Sequence, residues 1–425
     1  MVEIRPFRSV RYTEKAGSYE NLITQPYDKI DSDMQRKYHE KSMYNYCRLT
    51  LPMEENRYEI TKQRIRQWMN EGVLKKDKEP AIFVYKQVFE LFGKTYTRTG
   101  FIAALRLHPY AENKVLPHEI THKGPKIDRL NMLQATQKNL ETGFLLYPDP
   151  EKITINLFAR VTKTDPLIDV RDSLNVRNLI WKLTDLEKIK LVQEAVGDKQ
   201  FVIADGHHRY ETAIAYRDER RKQEGWTEDS AFNFRMSYMV PIQDEGLIVL
   251  PTHRLLKKIE LTDDTLQKFK KFFTVSKIDS NAEALRSFLE SQKTKHAFCI
   301  YDGKRSYGLL LENEKTVSQF MDAAWSDEYR SLDVTILRDV ILRGIMKTGE
   351  LKIDEEILYV RWIKNALEKV DKGEAKLAFL VNPTTPEMVL KIAQNNERMP
   401  EKTTDFYPKM VSGFTMMDLS SGEKL

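Results

Sequence analysis

The run Asp205-Gly206-His207-His208-Arg209 concentrates more reactive chemistry than any other stretch of the chain. It follows Phe201-Val202-Ile203-Ala204, a short apolar run that reads as a buried strand. It precedes a stretch to about Arg221 in which Ala213, Ile214 and Tyr216 mark the inner face of a helix. A helix that starts directly after a strand presents unpaired amides and the positive end of its dipole. Gly206 lets a ligand approach the backbone and tolerates a positive φ. Arg209, in the first turn, can offer two parallel donors to a phosphate. Such a charge-assisted bond contributes roughly 1.5–3 kcal/mol, against about 0.3–1 for the dipole. Asp205 is suited to placing a magnesium ion or to accepting the amides of the turn. His207 and His208 are neighbours and project differently, so at most one faces a ligand. An isolated Asp-Gly pair would read as a plain helix cap. Two of only eight histidines and an arginine in one turn favour a phosphate-handling site.

Other candidates are more scattered. Gln25-Pro26-Tyr27-Asp28 sets a carboxylate behind a proline-stiffened turn, which makes Asp28 a candidate general base, although an ordinary turn aspartate is the default. His118-Glu119-Ile120-Thr121-His122 matches H-E-x-x-H, a zinc signature that needs both histidines on one helix face. Pro117 before it and Gly124-Pro125 after it leave scarcely two helical turns. A zinc hydrolase built on His118, Glu119 and His122 therefore ranks third. The better expectation is a polar loop whose Glu119, with Asp128 and Arg129 beyond it, lines the site. Lys409, in Phe406-Tyr407-Pro408-Lys409, can meet an anion, though a solvated lysine is the default.

These residues need elements to hold them. Ala81 to Tyr85, the turn at Phe92-Gly93-Lys94 and the return to Leu107 predict an antiparallel hairpin. Asp31 or Ser32 caps a helix through Glu40, and Leu186 to Val196 forms another that ends at Gly197. Leu116 to Pro125 reads as a loop, and Lys126 to Asn139 as a helix with Ile127, Leu130 and Leu133 inward. Beyond Leu255 the pattern restarts. A hairpin is expected about Asp302-Gly303, helices near Thr335 and over Asp354 to Lys369, and a strand from Leu377 to Val381. The reading is an α/β chain of mixed α+β character, with domains 1–260 and 261–425.

Composition bounds the rest. At 425 residues the chain exceeds one ordinary core, and 41% hydrophobic with 31% charged residues is normal for a globular protein. The net charge of +5 comes from 68 basic against 63 acidic residues spread along the chain, which disfavours a nucleic-acid partner. Cys47 and Cys299 stand far apart without a CxxC partner, which fits a reducing compartment. Met1 to Phe7 holds no apolar targeting core, and no apolar run approaches the ~20 residues that span a bilayer. A cytoplasmic protein away from membranes is expected, with no signature of its oligomeric state.

Several stretches fall in an order shared with a known family. They are Ile4-Arg5-Pro6-Phe7, Pro26-Tyr27-Asp28, the Asn45 to Pro52 segment with Arg48, and His118-Glu119 through Thr121 to Asp128-Arg129. Ile203 to Ala213, Leu332-Asp333-Val334 and Met399-Pro400-Glu401-Lys402 to Lys409 follow. The chain resembles a bacterial and archaeal family known only by a number, 1015, among domains of unknown function. That family looks like a distant relative of the ParB and sulfiredoxin-like superfamily, which includes kinases of free L-serine that use ATP or ADP. The resemblance implies a ParB/sulfiredoxin-like core with insertions, plus a C-terminal α+β portion. It implies that Arg209 and one of His207 or His208 bind nucleotide phosphates and that Asp205 helps place Mg²⁺. Arg48, Thr121, Asp128, Arg129 and Lys409 become further pocket candidates. It puts the base at Asp28, where the kinases carry a glutamate, and Glu119 is the alternative base. The shorter side chain sets the carboxylate back by about one methylene, a misplacement that can cost ~100-fold in rate. The leading expectation is a phosphotransferase acting on a small hydroxyl metabolite. The alternative is a nucleotide-binding regulator of ParB type that takes CTP or ATP.

Overall fold

Phe92 and Gly93 both take positive φ, 49° and 75°, and close a tight hairpin between Ile82–Leu91 and Lys94–Arg106. Positive φ at both central residues matches the right-handed twist of the two strands, which is why the Gly-containing turn sets the register. The computed structural model describes residues 1–119, 124–400 and 402–425. The chain divides into two units, Met1–Pro117 with Thr121–Ile248 and Pro408–Leu425, and His118–Ile120 with Val249–Tyr407.

In the first unit the hairpin lies inside a mixed nine-stranded sheet. Its spatial order is Val115–Pro117, Phe201–Asp205, Gly143–Tyr147, Phe234–Pro241, Lys94–Arg106, Ile82–Leu91, Arg177–Leu183 and Ile168–Arg171, with Ile4–Arg5 paired to Lys94–Arg106. Helices Ile153–Val161, Leu186–Gly197 and His207–Arg220 bring Phe158, Val192 and Ala213 onto a core that includes Phe101, Tyr147 and Phe201. A smaller antiparallel sheet joins Leu74–Lys76, Ser9–Tyr12, Met416–Asp418 and Lys138–Asn139.

Gly100 sits where the large sheet leaves no room. A Cβ there would stand 2.3 Å from the carbonyl oxygen of Met239. Overpacking of this kind costs about 1–3 kcal/mol, so Gly100→Ala is expected to lower the urea midpoint with an unchanged m-value. A wild-type midpoint in the variant would show that the strands part without cost.

The second unit is built on an antiparallel six-stranded sheet in the order Phe273–Ile278, Ser306–Leu311, His296–Tyr301, Leu377–Val381, His253–Leu256 and Ile357–Val360. Leu377–Val381 and the hairpin at Asp302-Gly303 appear as the sequence predicts. Helix Ile336–Ile345 has the wider π winding.

Some expectations are corrected. His253–Leu256 pairs into the second sheet, so the division falls before residue 260. Met416–Asp418 pairs with Ser9–Tyr12 and Lys138–Asn139, so the C-terminal segment returns to the first unit. Leu116 and Pro117, read as loop, belong to strand Val115–Pro117, which runs parallel to Phe201–Ile203. Helix Gly124–Thr136 stops at Gln137, whose φ is +50°, and Ile127 is 65% exposed rather than inward. The span Asp354 to Lys369 is not one helix, because Ile357–Val360 pairs with His253–Leu256 before helix Ile363–Asp371 begins. Among the described residues no helix is long and apolar enough to cross a membrane.

His253 gives the second unit a pH dependence. It is 1% exposed, its Nδ1 accepts from the amide of Val381 at 3.3 Å, and burial, then the charge of Arg254, lowers its pKa from 6.5 to about 3. The unfolded chain takes up a proton below about pH 6.5 that the folded unit refuses. Stability is thus fully present above that pH and is lost as pH falls toward 3, by at most about 1.4 kcal/mol per pH unit. The difference between wild-type and His253→Asn unfolding free energies, followed from pH 7 to 4, is expected to shrink with that slope. A constant difference would mean that His253 is solvated.

Candidate functional site

Strand Phe201–Asp205 is buried up to Ala204, and its pairing with Gly143–Tyr147 shifts register between Ile203 and Asp205. Such a bulge turns the side chain at its end, here Asp205, away from the ladder. Gly206 follows at φ +91° and ψ 32°, and helix His207–Arg220 begins at once with no side-chain cap. The predicted strand, turn and helix are therefore present, with first-turn amides that no cap side chain satisfies.

Two cations meet Asp205. Lys409 Nζ lies 3.1 Å from Oδ2, and Arg209 Nη2 lies 3.5 Å from Oδ1. Burial alone would raise the Asp205 pKa, but Lys409, Arg209 and Lys29 outweigh it and hold the carboxyl well below the ordinary range. Arg98 explains how a residue so late in the sequence arrives here. Its fully buried guanidinium lies over the ring of Phe144 and donates to Gln87 and, at 2.6 Å, to the Pro408 carbonyl. Gln87 in turn donates to the carbonyl of Lys409 at 3.3 Å.

Arg209 is buried and donates to the Thr142 carbonyl at 2.9 Å. Burial opposes its charge, yet Glu141, Asp205, Asp28 and Tyr27 together raise its pKa. Glu141 accepts from the amide of Tyr27 at 3.1 Å and from Ser412 Oγ at 3.2 Å. Arg129 covers the Tyr27 ring at 4.1 Å. The short turn Tyr27–Lys29, which carries Asp28, is thus tied to the residues around Arg209. Asp28 keeps 38% of its side chain exposed, with Lys29 Nζ at 3.9 Å.

The remaining candidates divide. His207 is buried and His208 half-buried. Asp128 is engaged with Arg129, Arg57 and Tyr58, and Arg48 with the carbonyls of His39 and Ser42. Glu119 falls in the second unit, where it accepts from Thr404 Oγ1 at 3.3 Å. Thr121 and His122 lie outside the described residues. His118 directly follows a strand rather than lying in a helix, and its Nε2 meets Thr404 Oγ1 at 2.9 Å, so the described part of the H-E-x-x-H match lacks the helical geometry that zinc chemistry needs. Asp205 turns both oxygens to cations, a setting that does not fit a resident magnesium ion. Sequence reasoning missed Lys29, the role of Glu141 beside Tyr27, and Arg235, a buried arginine in strand Phe234–Pro241. The signal for Arg235 was available as the one charged residue in a strand otherwise without charge.

Gly206 also makes room for Arg209. A Cβ there would stand 2.8 Å from Arg209 Nε, and an L side chain at this φ adds about 1–2 kcal/mol of strain. Gly206→Ala is expected to displace the guanidinium and lower the urea midpoint while the fold persists. Denaturation checks this, and an unchanged midpoint would mean that the turn absorbs the added methyl.

Among solved structures, a free serine kinase in complex with AMP is 15% identical, at a TM-score of 0.33 over 72% of this chain and 89% of that one. A conserved hypothetical protein from Pyrococcus furiosus is 15% identical, at 0.31 over 71% of this chain and 92% of that one. SbnI with a C-terminal truncation, from Staphylococcus aureus, is 8% identical, at 0.35 over 76% and 90%. No curated protein matches the chain. The family model described as Protein of unknown function (DUF1015) matches residues 4–335, and the chain belongs to that family.

Proposed function

We propose that the first unit is a nucleotide-dependent phosphotransferase acting on a small hydroxyl metabolite, with ATP or ADP as donor and free L-serine as the first acceptor to try. The observation that carries this reading is the convergence of Arg209 and Lys409 on Asp205 at the start of helix His207–Arg220. Amides at a helix N-terminus and two cations form an anion site, and phosphoryl transfer asks chiefly for positioning and charge neutralisation. In this reading the acceptor hydroxyl attacks the terminal phosphorus as its proton passes to the carboxylate of Asp28. The bond from phosphorus to the departing nucleotide oxygen breaks, and the electron pair stays on that oxygen. Arg209, Lys409 and the first-turn amides offset the charge that develops. Asp205 positions both cations and holds them apart.

The test is incubation with ATP or ADP, with and without added Mg²⁺, and free L-serine, followed by ³¹P NMR. A new phosphomonoester resonance that requires both donor and acceptor supports the reading. Nucleotide binding without transfer to serine or to a panel of small hydroxyl compounds would favour a regulator. No binding by folded protein would remove the nucleotide from the account.

A further inference from the structure

Beside Arg209, in the first unit, lies a small cavity of about 50 Å³ lined by Arg129, Asn139, Glu141, Arg209, Thr212 and Arg235 among others. On a scale where about 10–15 Å³ admits one water, it has room for a small ion and little more, far too little for a nucleotide. Three of its lining residues carry buried polar atoms with no hydrogen-bond partner: Arg235 Nε, Asn139 Nδ2 and Thr212 Oγ1. Arg235, Asn139 and Thr212 are 4%, 2% and 4% exposed, so bulk water does not serve them. The first two atoms are donors only, and the third can donate. The amide of Asn139 is oriented, since its Oδ1 already accepts from the amide of Met236 at 2.9 Å. Arg235 is held at its other end, where Nη2 donates to the Glu141 carbonyl at 3.0 Å. A native fold leaves few buried donors unpaired, and three on residues that line one cavity ask for an acceptor.

Charge says which kind. Arg129 is paired with Asp128, and Lys138, also in the lining, is paired with Asp418 at 2.9 Å. What remains at this end of the site is Arg209, Arg235, Lys409 and Lys29 against Asp205, Glu141 and Asp28, four positive charges against three negative. Glu141 accepts from an amide and a hydroxyl, and among the described residues no carboxylate lies in direct contact with Arg235. Burial, then the charge of Arg209, pulls the Arg235 pKa down to about 9, the response expected of a buried cation lacking its counterion. A water would satisfy the donors but leave that charge unbalanced.

We propose that this cavity is a binding site for one monovalent inorganic anion of chloride size, held by Arg235, Asn139 and Thr212. The anion neutralises Arg235 and relieves its repulsion of Arg209, so it acts on the orientation of Arg209 whether or not nucleotide is present. The proposal stands apart from phosphotransfer, and its test uses no nucleotide.

Crystals soaked in sodium bromide are expected to show an anomalous peak within hydrogen-bond reach of Arg235 Nε, Asn139 Nδ2 and Thr212 Oγ1. In solution, chloride or bromide is expected to raise Tm by about 2–4 °C over gluconate at equal ionic strength. Thr212→Val, which keeps the side-chain shape, should halve that difference or more, and Arg235→Gln should abolish it. If Arg235→Gln fails to fold, the bromide map and Thr212→Val decide. A cavity holding only water density, or equal Tm in halide and gluconate, would overturn the proposal.

Discussion

Arg209→Ala is expected to lose ATP and ADP affinity by roughly tenfold to a hundredfold, the range that a charge-assisted bond of about 1.5–3 kcal/mol implies. The same substitution should destabilise the fold. Arg209 is 7% exposed, and its removal leaves the Thr142 carbonyl without this donor and Asp205 facing Lys409 alone. Breaking a buried charged pair costs about 3–5 kcal/mol, and with Asp205 still 22% exposed the lower end applies. Loss of binding in an unfolded variant would prove nothing, so Arg209→Lys is the companion. Lysine keeps the charge but gives up the two-pronged donor that matches a phosphate. The expected pattern is a urea midpoint close to wild type in Arg209→Lys with affinity still reduced several-fold. Calorimetric titration of ATP and ADP, beside denaturation of each variant, separates the two effects. Wild-type affinity in folded Arg209→Ala would remove the arginine from the phosphate site.

The strand, turn and helix from Phe201 to Arg220 were readable because each signal is local. An apolar run, a glycine and a helical apolar face occupy one continuous stretch, and no distant contact overrides them. Lys409 was nameable from its motif, but its meeting with Asp205 depends on Arg98 and Gln87 reaching across from the hairpin. Nothing in the spacing of Pro408 and Lys409 discloses that. Leu116 and Pro117 were misread for a similar reason. They belong to a strand only because Phe201–Ile203 lies parallel beside it, and parallel pairs are joined by long connections that carry no short-range signal. Ile127 was placed inward from helical spacing, although that spacing names a face without saying what will cover it. Glu141 and Arg235 were the costliest omissions. A buried charge is stable only with partners, and theirs come from Tyr27, Ser412 and the carbonyl of Glu141 itself, in the connection between two strands.

Asp28→Asn is expected to lower kcat by about 10²–10⁴ while nucleotide affinity stays near wild type, because general-base removal acts on the proton and not on the phosphates. The geometry makes this a fair test. Asp28 lies in a three-residue turn after Pro26, a turn fixed by the bond from the Tyr27 amide to Glu141 and by Arg129 over the Tyr27 ring. Asn has the same shape, so the turn should survive, and the side chain is exposed enough that folding does not depend on its charge. Asp28→Glu adds the opposite information. It extends the carboxylate by one methylene. If Asp28 is the base and this site is set for the shorter chain, the glutamate variant should turn over more slowly than wild type yet faster than the asparagine variant. Glutamate matching or exceeding wild type would mean that the site accepts the longer reach. Full kcat in Asp28→Asn would move the base elsewhere, and Glu141, the other carboxylate acting on Arg209 and Tyr27, would be the next to replace.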